Sequence, residues 1–155
     1  MNEDDPLVPS ENERRGRGLG APRFHSGRAN LCSQSSPVRF AGYAAVFDRV
    51  DGGGDVVRAG AFGLRGTAPR RVPVLLEHDR RRAVGWAEVR EDARGLRAVG
   101  RVGCAVVPGR GLSFGYRVRR AREAAGVREL IAVDLVEVSL VDQPMQARAR
   151  VLKVV

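Results

Sequence analysis

The sequence predicts a single mainly β domain whose antiparallel strands close on themselves as a barrel or sandwich. Three features point there. Short apolar runs begin at Val38 and recur at strand-like intervals, and each run ends in a turn signal rich in glycine, proline or aspartate. The third is size: 155 residues and 16.8 kDa allow one core and little else.

The elements follow in order. Strands are expected at 38–48 (VRFAGYAAVFD), 72–78 (VPVLLEH), 83–90 (AVGWAEVR), 95–103 (GLRAVGRVG), 111–119 (GLSFGYRVR) and 127–141 (VRELIAVDLVEVSLV), with a last one through 149–154. Turns are signalled by DGGGD at 51–55, APRR at 68–71, EDARG at 91–95, PGRG at 108–111 and AAG at 124–126. A short helix fits 58–66 (RAGAFGLRG). Residues 1–37 are rich in Gly, Pro, Ser, Asn and Arg, with few aliphatic side chains. Their composition predicts a disordered leader ahead of a folded domain at 38–155.

Several classes of protein are argued against. No apolar run reaches the roughly 18 residues that a membrane-spanning helix needs. The N-terminus is acidic and then basic, without the apolar segment of a secretory signal. Cys32 and Cys104 form no CxxC and have no histidine cluster beside them, which speaks against a zinc site or a disulfide framework and fits a reducing cytoplasm. The net charge is +9, and of 27 basic residues only Lys153 is lysine. That skew matches GC-rich coding as well as it matches a surface selected for polyanions. All of the excess charge lies beyond residue 37, where it could hold a polyanion or an acidic partner.

Strand alternation singles out three side chains. In 72–78 the face Val72, Val74, Leu76, His78 is apolar until its last member. In 127–141 the face Ile131, Val133, Leu135, Glu137, Ser139, Val141 carries a carboxylate in its middle, where an unpaired charge would cost several kcal/mol. A salt bridge to one of the many arginines satisfies that carboxylate as well as an imidazole would. In 111–118, Leu112, Phe114, Tyr116 and Val118 face the core, which leaves Ser113 on the opposite, exposed face between Gly111 and Gly115. Glycine on both sides allows close approach of a substrate backbone and frees N–H groups for an oxyanion. The spacing is not that of the nucleophile elbow of α/β-hydrolases. Each residue alone is ordinary. Together a serine, a histidine and an acid on separate strands are what acyl transfer needs: a nucleophile, a base, and a group that fixes the base.

The stretches GYAAVFDRVDGGGDVVRAGAF (42–62), VPVLLEHDRRRAVGWAEV (72–89), GLSFGYRV (111–118) and DLVEVSLVDQPMQARARV (134–151) resemble the prohead maturation proteases of tailed phages and gene transfer agents. The fold of that family is similar to the assemblin proteases of herpesviruses. The resemblance implies a closed or partly closed antiparallel β-barrel with one or two short helices. It also implies a serine endopeptidase that trims the scaffold, or the scaffold-like N-terminal segment of the major capsid protein, inside assembling procapsids in the cytoplasm. By it His78 is the general base, Ser113 the nucleophile and Glu137 the third member, with Asp134 and Asp79 as the other carboxylates. Oxyanion donors would be backbone N–H groups near Ser113, with Arg148 or Arg150 assisting. The chemistry calls for no cofactor, metal, membrane or nucleic acid, and a homodimer is compatible with it.

One departure stands out. Family members usually carry a helical stretch before the nucleophile strand, whereas only Cys104–Arg110 (CAVVPGR) fills that place here. Two other readings therefore remain open: a catalytically impaired assembly or scaffold protein that keeps the protease fold, and a basic β-barrel that binds nucleic acid. Against the second, aromatic residues make up only 5%, so stacking platforms are scarce.

Overall fold

Residues 36–155 are described by a computed structural model, in which eight strands follow one another: β1 (Val38–Val46), β2 (Asp55–Val57), β3 (Arg70–Leu76), β4 (Asp79–Glu91), β5 (Gly95–Val102), β6 (Gly111–Ala124), β7 (Val127–Val141) and β8 (Val151–Val154). They form one sheet in the order β2-β7-β3-β4-β5-β1-β8, and β6 occupies the other edge of β7. The sheet curls until its ends meet. Gly111 at the start of β6 bridges Arg150 beside β8, through Leu112 N–H to Ala149 O at 2.9 Å and Val151 N–H to Arg110 O at 2.9 Å.

Alternation explains the interior. Along β5, Leu96, Ala98, Gly100 and Val102 are buried while Arg97, Val99 and Arg101 point outward, the period-2 pattern of a strand with one wet face. Phe40, Leu96, Leu112, Leu130, Leu135 and Leu140 are the largest fully buried side chains and fill the barrel. Where β1 ends, the Gln146 side chain continues its ladder. Its amide oxygen accepts the Val46 N–H at 2.6 Å and its NH2 donates to the Val46 carbonyl at 3.2 Å.

The mainly β expectation holds, with corrections. Among the described residues there is no helix, against the one or two expected. At 58–66 glycines recur every third residue, and Gly60, Gly63 and Gly66 all adopt positive φ, which stops a helix from propagating. The chain there folds as successive turns, in which the Ala61 and Gly63 N–H groups donate to the carbonyls of Arg58 and Gly60 and three other N–H groups are taken from outside. The buried carboxylate of Glu91 accepts the N–H of Gly60 (3.1 Å), Phe62 (3.3 Å) and Leu64 (2.7 Å). The sheet is also not purely antiparallel, because β2 and β3 both run parallel to β7. β2 escaped notice because it is three residues long and begins inside the DGGGD turn signal. The leader expected at 1–37 lies outside the described residues except for its last two positions.

Glu91 gives this architecture a direct check. Glu91→Ala leaves three loop N–H groups without a buried acceptor, and one such unsatisfied group costs about 1–3 kcal/mol. The urea midpoint should fall accordingly, by about 2–4 kcal/mol of stability, with an unchanged denaturant slope. A midpoint within error of the parent would show that the 58–66 turns hold themselves together.

Candidate active site

The β3–β4 connection is a two-residue turn, Glu77–His78, with φ of 50° and 58°. Both residues carry side chains into left-handed backbone, which costs roughly 1–2 kcal/mol each and persists only where the surroundings impose it. Here β7 imposes it. The Glu77 N–H donates to the Leu140 carbonyl at 3.1 Å, and its carboxylate accepts the Asp142 N–H at 2.8 Å and Arg110 Nη2 at 3.0 Å. The His78 N–H donates to Ser139 Oγ at 3.2 Å. His78 therefore does not end an apolar strand face, as alternation had suggested. Register shifts after Val74 and Leu75 break that alternation, and the imidazole projects from the tip of a hairpin.

Beneath the tip, the β6–β7 register slips between Tyr116↔Leu135 and Gly115↔Glu137. Val133 and Leu135 lie in the core on one side of the slip, and Val138 and Leu140 on the other, which leaves Glu137 and Ser139 on the opposite face. The expected continuous face from Ile131 to Val141 is thus split in the middle. Glu137 is only 5% exposed. Its Oε1 lies 2.7 Å from His78 Nδ1, and its Oε2 accepts the Ser139 hydroxyl at 2.6 Å. Ser139 has no exposed surface at all. The imidazole itself is 45% exposed. The Glu137 hydrogen bond holds the His78 pKa above its ordinary value; partial burial opposes this, and the charges of Glu137 and Glu77 add to the rise. With Nδ1–H directed at Glu137, Nε2 is the nitrogen left to accept a proton.

Ser113 stands directly across from Ser139 in the β6–β7 ladder, on the same face as Gly115 and hence as Glu137. Directly opposed residues have Cβ atoms about 4.5–5.5 Å apart, so the Ser113 hydroxyl lies one strand spacing from the group that holds the His78 backbone. No hydrogen bond joins Ser113 to His78 among the described residues; in unliganded sites such contacts are often long and tighten when substrate binds. At 9% exposure Ser113 is also far less open than the sequence suggested. The flanking glycines have a packing reason. A Cβ on Gly115 would sit 2.3 Å from Glu137 Oε1, and one on Gly111 would sit 2.6 Å from the Val141 carbonyl. Nor is the neighbouring N–H group of Leu112 free for an oxyanion, since Ala149 accepts it.

The other carboxylates sit elsewhere: Asp134 pairs with Arg119 at 3.4 Å and Asp79 with Arg81 at 3.2 Å. The Arg150 guanidinium donates to the carbonyls of Ala147 and Gly109, bracing the 104–110 connection rather than facing the histidine. Two residues at the site were not singled out from sequence. Ser139 shares a strand face with Glu137, two residues away, and that spacing was a usable signal. Arg110, which ties Glu77 to Asp142, had none. Among the described residues no group of three or more His, Cys, Asp or Glu could hold a metal ion.

The geometry sets an expected titration. Glu137→Gln should bring the His78 pKa down toward the ordinary imidazole value, and Gly115→Ala should do the same by displacing the carboxylate. An NMR titration of His78 in the parent and both variants reads this. Equal pKa values in all three would mean that the Glu137–His78 contact does not hold in solution.

No curated protein matches the chain. Among solved structures, the KSHV protease in complex with a hexapeptide phosphonate inhibitor is similar over 68% of this chain, at 14% identity and a TM-score of 0.42. The chain spans 60% of that protein's length. A family model described as the caudovirus prohead serine protease matches residues 27–107, just over half of the chain, a stretch that includes His78 and ends before Ser113 and Glu137. The chain belongs to the caudovirus prohead serine protease family.

Proposed function

We propose that this protein is a serine endopeptidase that cleaves the scaffold, or the scaffold-like N-terminal segment of the major capsid protein, inside assembling procapsids. The observation that carries the proposal is the 2.7 Å contact between a buried glutamate and an imidazole one strand away from a serine, in a chain of this family. Ser113 Oγ attacks the scissile carbonyl as its proton passes to His78 Nε2. The same proton then goes to the leaving amine nitrogen as the C–N bond breaks. Water repeats the sequence on the acyl-enzyme, restoring the serine and releasing the acid. Glu137 holds the tautomer and stabilises the imidazolium formed in each half. Ser139 holds the second carboxylate oxygen and is a positioning residue. The substrates are polypeptides, and nucleophile, base and orienting acid are all side chains of this protein.

The pH dependence follows from the raised His78 pKa. A raised folded-state value means that the protonated pair stabilises the fold below the ordinary imidazole pKa, and that this stabilisation fades as pH rises through the raised value. Activity runs the other way, because the base must be neutral. Cleavage should appear as pH climbs through the raised value.

Ser113→Ala and His78→Ala should each lower cleavage of co-expressed capsid protein at least about a thousandfold, with the double variant little worse. Glu137→Gln should lose less. An active-site phosphonate should label the parent at Ser113 and leave Ser113→Ala unlabelled. Cleavage by Ser113→Ala at the parental rate would refute the assignment. Absence of both cleavage and labelling in the parent would favour an assembly protein that keeps the fold.

A further inference from the structure

The outward face of β1, β4 and β5 carries arginines in an arrangement that works against the fold. Arg39 lies directly opposite Arg101, and Arg97 directly opposite Arg90. Like charges opposed across a ladder are destabilising. No carboxylate forms an ion pair with any of these four among the described residues, although elsewhere the barrel pairs Arg58, Arg110, Arg122 and Arg128 with acids. Two shallow cavities mark the same face. One, of about 160 Å³, is edged by Arg90 and Arg97; the other, of about 270 Å³, by Arg39 and Arg101. They share Glu88 and Val99, which are cross-strand neighbours between the two arginine pairs.

We infer that this face is a docking surface for an extended acidic peptide segment of a partner protein. The spacing sets its chemistry. Arg97 and Arg101 are four residues apart on one strand, roughly 13 Å at the strand rise. An extended peptide places same-face residues at the same interval, so carboxylates at i and i+4 meet the two arginine pairs while the residue at i+2 lies over Val99. That middle residue is apolar, because Glu88 beside Val99 repels a third acid. The same carboxylate disfavours nucleic acid, in which each duplex strand carries one phosphate per ~3.4 Å of helix axis, so that phosphates would fall on Glu88 as well. Trp86 offers no open platform for a base either: the Arg71 guanidinium covers its ring at 3.9 Å. The surface is distinct from the His78 site, which lies over β6 and β7, and the inference does not depend on the protease reading.

The test uses the full chain and a labelled peptide with glutamates at i and i+4 around a valine, beside a control with glutamines. Trp86 is the sole tryptophan of the sequence and reports binding at this face by fluorescence. The acidic peptide should bind, weaken as salt rises, and change the Trp86 signal, while the control does none of these. Arg90→Gln/Arg97→Gln and Arg39→Gln/Arg101→Gln should each weaken it at least about tenfold. Because each double substitution removes an opposed pair, its melting temperature should equal or exceed the parent's. Undiminished binding by both variants, or no binding by the parent, would overturn the inference. So would a lowered melting temperature in either variant, or tighter arginine-dependent binding of a mixed-sequence DNA duplex than of the peptide.

Discussion

Glu137 is a carboxylate set into the seam between two strands, and its need for partners organises the site around it. Leaving such a group buried and unpaired would cost several kcal/mol, far more than any one surface contact returns. One oxygen is met by the Ser139 hydroxyl, the other by the His78 ring. Because the ring comes from a hairpin tip, the carboxylate also fixes the position of the β3–β4 turn, and Ser139 fixes it again through the His78 N–H. The strained backbone at Glu77 and His78 is the cost of bringing an imidazole to that place.

The buried carboxylates of this barrel are Asp55, Glu91, Glu129 and Glu137. Arg128 and the Tyr116 hydroxyl hold Asp55, and Arg58 and Arg122 hold Glu129. Glu91 is held by backbone N–H groups. Arginine stays charged at any pH a protein meets, and a backbone amide does not titrate. The arginine partners hold the Asp55 and Glu129 carboxyls below the usual carboxylate range. Glu137 alone leans on a group that titrates near neutrality, in a chain with 26 arginines that could have neutralised it permanently. Arg110 reaches the turn and is directed to Glu77 and Asp142 instead. A salt bridge that only held the fold would gain nothing from this choice. The proton transfer we propose for His78 requires a partner that titrates.

Much of the barrel was legible in the sequence because strands with one wet face write their period directly, as β5 does. The reading failed where short-range geometry decides. Bulges after Val74 and around Val136 invert the alternation, and no residue type marks them, so the faces assigned to His78 and Glu137 were wrong, although the two side chains do meet. Residues 58–66 looked helical because their apolar spacing is compatible with a turn of helix. The glycines at 60, 63 and 66 stop the helix, and the acceptor that holds the resulting turns is Glu91, 27 residues from Leu64, which local pattern cannot show. The glycines around Ser113 have a packing cause that the sequence does not show: a side chain there would strike Glu137 or the Val141 carbonyl.

The arginine face and the histidine site obey opposite logic, and the contrast locates function on the molecule. At the site a charge that would be costly is closely matched by its neighbours. On β1, β4 and β5 like charges are set directly against one another, and among the described residues none of the four arginines forms an ion pair with an acid. A stable fold can carry such unmatched repulsion only as a small loss, and neutral residues at the same outward positions would remove it without touching the core. A composition skewed to arginine explains why the residue is common, but not why four of them face each other in directly opposed pairs while other arginines find acids. Complementarity to something outside the chain does explain it, and β3 lies between that face and β7, the strand that carries Glu137.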